Sequence, residues 1–441
     1  MIDKGINAGW DSGKWKKTPP SNISFIEPGT MGTTSNTWLH GSGGWVKYKV
    51  KSDGTILTFK WGNPYKGSNF YDASASNDGL YSFLTEGGGG NNTEVTFTVT
   101  RQPVMNNYSA VIMADPQTWR VASAGGTDPN SESLSGETSR AKNRNTMNSI
   151  LSLGNVKFAI VNGDLTEYGR KAQYDDYSKI YRSSGILVAD GMGNHDYQRN
   201  VGDCVAFPDF GVSKNGCALS AVEREYSAIK NFKKNITQIS GSAFSADVEM
   251  TSKSTGEEVS DDYHGSLAYS WDVGDVHYVQ LQNYPTYTVC MSAFLTGFDV
   301  SAEITSSLDW LAIDLEKADL RGKETVINFH DARPASDDGL SLFLNKNNSK
   351  ELSSFKSIIT SHNVKAIFAG HTHVQSYCRA KDDAVFGNIP VYTAGALFNG
   401  DYYLINVQGK SIDVKAYNGK SGKDMGIVGD TKTLSDTCSN L

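Results

Sequence analysis

The sequence of 441 residues has no hydrophobic run that approaches the roughly 20 residues needed to cross a lipid bilayer. Its first residues, Met1–Gly5, also lack the apolar segment of a secretory signal peptide. We therefore expect a soluble chain with neither a transmembrane segment nor a signal peptide. A secreted protein whose signal peptide has been removed would begin in the same way.

Cysteine is scarce as well: the chain has 5 cysteines, and none of them forms a Cys-x-x-Cys pair. Five cysteines in a chain of this length are too few for a disulfide-rich scaffold. Cys204 and Cys217 flank a stretch that contains glycine and proline, and they could form a disulfide. Two free thiols are an equally good interpretation.

Neither sign of charge dominates, because the chain has 41 basic and 48 acidic side chains, which gives a net charge of −7. We infer no broad surface for polyanions and no nucleic-acid-binding signature. Glycine and aromatic residues are plentiful, with 44 glycines and 11% Phe, Trp and Tyr. This composition favours turn-rich β structure, because glycine allows turns with positive φ and aromatic side chains suit half-buried strands.

Residues 1–103 predict a small antiparallel β-sandwich domain. The alternating runs Trp45–Val50, Ile56–Trp61 and Val95–Thr100 are separated by clusters of Gly, Asn, Asp and Pro. Alternation with a period of two and no helical stretch is typical of such a fold. We expect Arg101–Pro103 to link it to the rest of the chain.

Residues 104–441 predict a layered α/β domain. Five short apolar runs end in polar or charged residues: Ser109–Ala114, Phe158–Asn162, Gly185–Ala189, Thr325–Phe329 and Val364–Ala369. Helical spacing appears in two sets between or after them: Ile304, Leu308, Leu311 and Leu315, and then Leu352, Phe355 and Ile359. In such a domain, ligands gather beyond the carboxyl ends of the strands.

A long and mostly polar segment, residues 196–262, interrupts this alternation. Leu219, Val222, Tyr226 and Ile229 form one amphipathic helical stripe within it. We interpret the segment as an insertion, either a surface excursion or a lid over the site.

Residues of types that commonly bind metals, namely Asp, Asn, Gln and His, follow all five apolar runs. The groups are Asp115-Pro116-Gln117, Gly163-Asp164, Gly193-Asn194-His195-Asp196, His330-Asp331 and Gly370-His371-Thr372-His373. The glycines in three of these groups would let the backbone turn sharply before the ligands that follow them. Taken singly, the histidines could be buried structural residues, and the aspartates could be helix N-caps. Their joint occurrence in this order favours a metal site.

Oxygen and imidazole donors of this mixture suit two divalent or trivalent ions such as Zn, Mn or Fe. Two neighbouring ions need a shared anionic ligand, and Asp164 can bridge them. A metal-bound hydroxide could then attack phosphorus in line. His195 is placed to protonate the leaving oxygen, and Asp196 could orient the ring of His195 or stabilise its charge.

The order of these motifs resembles that of the calcineurin-like metallophosphoesterase superfamily: Asp-x-His, Gly-Asp, Gly-Asn-His-Asp/Glu, His and Gly-His-x-His. The resemblance covers about residues 108–410, and it implies a four-layer αββα fold and hydrolysis of phosphate mono- or diesters. It also implies that Asp115, Gln117, Asp164 and His373 hold one metal ion. By the same resemblance, Asp164, Asn194, His330 and His371 hold the other.

Two positions depart from the family pattern. Gln117 stands where most members have histidine, and a neutral amide is a poorer metal ligand than imidazole. This puts ligation by Gln117 in doubt. Glu167 stands where purple acid phosphatases carry a ligating tyrosine, which argues against that branch, and Tyr168 is a poor substitute.

The expected contacts to substrate phosphate come from Asn194, His195 and Arg333. Arg333 could clamp a phosphate bidentately. Alternatively, it could pair on the surface with Asp337 or Asp338.

The segment Phe59–Asn69 resembles part of the aegerolysins, small β-sandwich proteins that recognise membrane lipids. This similarity spans about residues 5–101, and a generic accessory sandwich is an equally good interpretation. If the resemblance holds, exposed Trp and Tyr side chains would insert at a lipid interface.

Two functions follow from the sequence. The first is a dinuclear-metal phosphoesterase, with a phosphodiester or phospholipid substrate favoured. The alternative is a weak or inactive phosphoesterase fold that acts as a membrane-binding or toxin-like protein. In that case, Gln117 in place of the usual histidine would be a sign of the lost activity. The accessory domain and the Ser, Thr, Asn and Gly content suggest a secreted or extracellular protein.

Overall fold

The structure is a computed structural model that describes residues 107–120, 135–204, 214–240, 243–254, 259–295, 298–332, 343–344, 349–379, 382–419 and 423–427, together with the strands before residue 100 given below. The chain divides into two compact units. One comprises Met1–Val104 with Ser240–Ala243, and the other comprises Met105–Ile239 with Phe244–Leu441.

The first unit contains short antiparallel strands. They are β1 (Trp10–Asp11), β2 (Lys14–Trp15), β3 (Ile23–Pro28), β4 (Gly43–Val50), β5 (Leu57–Asn63), β6 (Asn69–Phe70), β7 (Ser74–Ala75), β8 (Leu80–Glu86) and β9 (Thr93–Val99). One sheet has the order β3-β4-β8-β6, with β7 also on β8, while β5 pairs with β9 and β1 with β2. The side chains of the aegerolysin-like segment Phe59–Asn69 lie outside the described residues.

The strands of the second unit follow the alternation seen in the sequence. They are β10 (Asn107–Met113), β11 (Val156–Val161), β12 (Leu187–Asp190), β13 (Phe244–Ala246), β14 (Glu249–Ser254), β15 (Val259–Gly265), β16 (Tyr269–Val273), β17 (Val276–Gln280), β18 (Val289–Leu295), β19 (Phe298–Ile304), β20 (Glu324–Asn328), β21 (Val364–Ala369), β22 (Gln375–Cys378), β23 (Val391–Ala394), β24 (Asp401–Gln408), β25 (Ser411–Asn418) and β26 (Lys423–Ile427). The helices are α1 (Ser135–Ser152), α2 (Lys171–Tyr177), α3 (Gly216–Ser240), α4 (Leu308–Leu320) and α5 (Ser349–Thr360). Among these described helices, none is long and apolar enough to span a membrane.

Two mixed sheets form the centre of this unit. The first has the order β12-β11-β10-β24-β25-β26, and its strands β10, β11 and β12 are parallel. The second has the order β13-β16-β17-β20-β21-β23-β22, with β17, β20, β21 and β23 parallel. The parallel strands are rich in buried Val, Ile, Phe and Ala, as expected for strands covered on both faces.

The two sheets pack face to face between helices. Successive residues of a strand point to opposite faces. In β24, Tyr402 therefore reaches Ser149 of α1 at 3.1 Å, while Tyr403 packs its ring against Tyr392 of the second sheet at 5.6 Å between centroids. On the other side of the second sheet, α4 and α5 bury Leu311 and Phe355 against it. These layers give the four-layer αββα fold.

One element boundary differs from the prediction. The helical spacing had included Ile304, but this residue ends β19, where it pairs with Gly265 and Val289. Helix α4 begins only at Leu308. The pairing of Ile304 with two neighbouring strands overrides its spacing to the leucines.

The predicted insertion contributes to the core of the second unit. Leu219, Val222 and Ile229 of α3 are buried in the main core. Strand β13 joins the edge of the second sheet through its pairing with β16. Strands β14 and β15 form a separate four-stranded sheet with β18 and β19.

A disulfide joins Cys204 to Cys217, so the alternative of two free thiols is wrong for this pair. Asn215 and Gly216 donate backbone hydrogen bonds to the carbonyls of Asp203 and Cys204, both at 3.1 Å. The segment that ends at Cys204 is thereby attached to the beginning of α3. Among the described cysteines, Cys290 is a free thiol and is exposed.

Candidate metal and phosphate site

The predicted ligands meet at the carboxyl ends of five strands. Asp115 and Gln117 follow β10, and Asp164 follows β11. Asn194 and His195 come after β12. On the second sheet, His330 follows β20, and His371 and His373 follow β21. Because the two sheets face each other, both sets of loops converge on one edge of the domain.

The candidate ligand atoms form two groups, and within each group all atoms lie within 4.8 Å of one another. The first group is Asp115, Asp164 and His373, and the second is Asp164, His330 and His371. In the first group, His373 Nε2 lies 3.3 Å from Asp115 Oδ1. In the second group, His330 Nε2 lies 3.3 Å from Asp164 Oδ2 and 3.1 Å from His371 Nδ1. Asp164 belongs to both groups, as expected for a bridging carboxylate.

His330 is oriented by the backbone as a ligand. Its Nδ1 donates to the carbonyl oxygen of Asn162 at 2.8 Å, so Nε2 is the nitrogen that faces Asp164 and lies 3.0 Å from Asn194 Oδ1. Burial alone would lower the pKa of His330, but the Asp164 carboxylate outweighs it and raises the pKa to about 10. For Asp164, burial alone would raise the pKa, and His330 and His195 hold it well below its usual range. The site therefore stabilises positive charge beside Asp164.

Buried acceptor atoms without hydrogen bonds also favour a cation. Asp115 Oδ1 and Gln117 Oε1 are buried and accept no hydrogen bond. Buried oxygens of this kind are rare unless an ion or water completes them. The Gln117 amide lies within the site, because its Nε2 donates to Asp164 Oδ2 at 3.1 Å. The residues present thus fit a pair of metal ions.

The backbone at the ligands is strained. Five of them have positive φ angles: Asp115 (52°), Gln117 (33°), Asp164 (53°), His371 (72°) and His373 (59°). Residues with a Cβ rarely adopt this region, and such strain collects at functional sites. The strain is therefore an observation in favour of function that is independent of the side-chain chemistry.

The glycines before the ligands have two different roles. Gly163 has φ of +79°, so it makes the sharp turn that the sequence predicts. Gly370 does not have a positive φ, but a Cβ there would lie 2.5 Å from Ala114 Cβ and 2.6 Å from Asp115 Oδ2. Gly193 is similarly crowded by Asp164. For Gly193 and Gly370, close approach of two loops is a further reason for glycine.

His195 lies beside both ligand groups, with Nε2 at 3.9 Å from Asp164 Oδ2. Its Nδ1 is 2.7 Å from the backbone carbonyl of Glu167, and its Nε2 is 2.9 Å from Arg199 Nη1. A carbonyl only accepts and a guanidinium only donates. In this arrangement Nδ1 therefore carries the hydrogen and Nε2 is the acceptor.

Among the described residues, the Asp196 carboxylate makes no hydrogen bond to the ring of His195, contrary to the prediction that it orients this ring. Its carboxylate accepts hydrogen bonds from the backbone of Gly193, Leu165 and Thr166 and from the hydroxyls of Thr166 and Tyr174. Burial and the neighbouring Asp164 raise the pKa of Asp196 to about 7. Asp196 therefore holds the loops after β11 and β12 together, and the Glu167 carbonyl and Arg199 orient His195.

The remaining predicted residues differ in how far they can be placed. Glu167 forms an ion pair with Arg120 at 3.2 Å, and burial raises the pKa of Glu167. Arg333 lies outside the described residues. Arg199 was missed in the sequence, although its spacing of four residues from His195 is a signal that the two could meet on one helical turn.

The model of the calcineurin-like phosphoesterase family matches residues 108–375. No curated protein sequence matches the chain. Among solved structures, a dimetal phosphatase from Danio rerio is 13% identical, with a TM-score of 0.41, covering 72% of this chain and 97% of its own. A purple acid phosphatase from yellow lupin seeds is 11% identical, with a TM-score of 0.42, covering 87% of this chain and 71% of its own.

Proposed function

Because the chain belongs to the calcineurin-like phosphoesterase family, and is therefore a metal-dependent phosphoric ester hydrolase, we propose that it uses a dinuclear metal site to hydrolyse phosphate esters. One ion would be held by Asp115, Gln117, Asp164 and His373, and the other by Asp164, Asn194, His330 and His371. The observation that carries the proposal is the presence of two ligand groups that share Asp164. When bound, the two ions would activate water and neutralise charge on the phosphoryl oxygens.

The side chains around the ligands have separate tasks in this proposal. Asn194 and His195 face the substrate, and His195 Nε2, once Arg199 has left it and it has taken a proton from solvent, passes that proton to the leaving oxygen. The Glu167 carbonyl fixes the ring through Nδ1 and leaves Nε2 directed at the site. Asp196 takes no part in proton transfer and keeps the two loops at a fixed distance.

We further propose that the substrate is a phosphodiester or phospholipid, that the first unit binds membrane lipid, and that the protein is secreted or extracellular. The Cys204–Cys217 disulfide supports an oxidising compartment. The lipid proposal rests on the aegerolysin-like sequence and is tested by co-sedimentation of the full chain with sphingomyelin and phosphatidylcholine vesicles. A chain that stays in the supernatant with both compositions would contradict it.

The activity is tested with p-nitrophenyl phosphate and bis-p-nitrophenyl phosphate. Metal-stripped protein should regain hydrolysis when Mn, Zn, Fe, Ni or Mg is added, and Asp164→Asn should lose at least about a hundredfold because both ligand groups lose their shared carboxylate. Faster hydrolysis of the diester would support the substrate proposal. A folded protein that hydrolyses neither ester with any metal would contradict the proposed activity. That result would favour the alternative of an inactive phosphoesterase fold.

A further inference from the structure

We propose that Arg199 is a substrate-binding residue that holds a non-bridging phosphoryl oxygen next to His195. The inference rests on the proposed function, because it takes a phosphate ester as the ligand. It adds a residue that neither the family motifs nor the sequence analysis assigns.

The backbone at Arg199 is anchored to both sides of the site. Arg199 lies in the short 3₁₀ helix Gln198–Asn200, and its backbone N–H donates to the carbonyl of Asn194 at 2.8 Å. Asn283 Nδ2 donates to Gln198 Oε1 at 2.6 Å, and the carbonyl of Asn283 accepts from the backbone N–H of His330. The position of Arg199 is thus fixed relative to the ligands of both sheets.

The guanidinium of Arg199 lacks a carboxylate partner among the described residues. Arg120 and Arg182, in contrast, form ion pairs with Glu167 and Asp190. Within the described part of the chain, the side chain of Arg199 has one hydrogen bond, from Nη1 to His195 Nε2, and the residue is exposed. A guanidinium has five N–H donors, so donors remain for an incoming anion.

A phosphoryl oxygen is a better partner for this guanidinium than the imidazole nitrogen. The imidazole nitrogen is a neutral acceptor of one hydrogen bond, whereas an anionic phosphate adds its own charge and can accept two parallel N–H bonds from one guanidinium. Arg199 would therefore transfer its hydrogen bond from His195 Nε2 to the phosphoryl oxygen when the substrate enters. This exchange also leaves Nε2 facing the leaving group.

The test is the affinity for inorganic phosphate, measured by isothermal titration calorimetry on the full chain with and without Mn. We expect Arg199→Ala to weaken phosphate binding at least about tenfold, and Arg199→Lys to weaken it less because the charge is kept. Arg144→Gln is the matched control, because Arg144 is an exposed arginine on α1 whose ion pair is with Glu137. It should bind phosphate like the unmodified protein.

A purely structural role for Arg199 predicts a different pattern, namely a lower melting temperature with unchanged phosphate affinity. Unchanged affinity in Arg199→Ala would overturn the proposal, as would an unmodified protein that binds no phosphate in either state. Hydrolysis is recorded separately, and we expect KM for both nitrophenyl esters to rise more than kcat falls. Phosphate binding that depends on Arg199 without any hydrolysis would uphold this inference and contradict the proposed activity.

Discussion

In the proposed dinuclear site, Gln117 would decide how strongly the first metal ion is held. Its amide lies in the site against Asp164, but its Oε1 is buried without a partner. A neutral amide oxygen binds a transition metal less tightly than an imidazole nitrogen does. The first ion should therefore be the weaker one of the two.

We expect Gln117→His to bind the weaker ion about tenfold more tightly and Gln117→Ala to lose it, since the substitutions strengthen or remove one ligand. Histidine also tolerates the positive φ of this position comparatively well. The measurement is metal content by mass spectrometry after dialysis against graded chelator concentrations. If Gln117→Ala retains as much metal as the unmodified protein, Gln117 is not a ligand.

At the level of side chains, the sequence predicts which residues meet but not all of their roles. Asp115, Asp164, His330, His371 and His373 come together because each follows a parallel strand. The role of Asp196 could not be read from its position beside His195, because neighbouring residues in a loop point in different directions. Arg199 was missed because its contact depends on a single helical turn within a loop.

The segment from Asn194 to Cys204 is the element that carries His195 and Arg199. It is attached at its end by the disulfide to Cys217 and by a hydrogen bond from the Gly202 N–H to Asn215 Oδ1 at 2.6 Å. Because Cys217 lies on α3, which is packed in the core, the disulfide joins the loop to a rigid element.

Replacing both Cys204 and Cys217 by serine should destabilise the protein by about 2–4 kcal/mol, because the unfolded chain regains the freedom of a closed loop. It should also raise KM, because the segment that carries His195 and Arg199 would no longer be covalently attached to α3. Thermal unfolding and ester hydrolysis measure the two effects. Cys290→Ser is the control, since Cys290 is exposed and free, and equal melting temperatures for both variants would contradict the expectation.

The strands that precede the predicted ligands were predictable from the sequence to within a few residues, as for the run Val364–Ala369, which is β21, whereas β13, β14 and β15, which begin within the predicted insertion, were not. The predicted helix boundary at Ile304 was wrong because strand pairing places this residue at the end of β19. The place of α3 in the core could not be derived, because an amphipathic stripe shows that a helix buries one face but not which partner covers it.

The second unit as a whole contains a buried ionic cluster away from the ligands. His277 of β17 lies 2.7 Å from Asp272 of β16 and 2.8 Å from Asp314 of α4. Arg321 pairs with Asp272 at 2.8 Å. Burial alone would lower the pKa of His277, but Asp314 and Asp272 outweigh it and raise the pKa to about 9. The cluster thus joins α4 to the second sheet through a charged imidazole.

This pKa predicts how stability depends on pH. Because the folded pKa of His277 is higher than its unfolded value of 6.5, the stabilisation is complete below pH 6.5 and is lost as the pH rises through 9. The free energy of unfolding should fall by up to about 3 kcal/mol across this range. Urea unfolding at several pH values measures it. His277→Gln should lack this contribution, and identical pH profiles for the two proteins would contradict the expectation.

The positive φ angles of the five ligands have a consequence for engineering this protein. Each strained residue costs roughly 1 to 2 kcal/mol, which glycine at the same position would relieve. A selection for thermal stability alone would therefore favour replacements at Asp115, Gln117, Asp164, His371 and His373. It would yield more stable proteins that have lost the predicted metal ligands. Any such screen of this chain needs turnover as a second criterion.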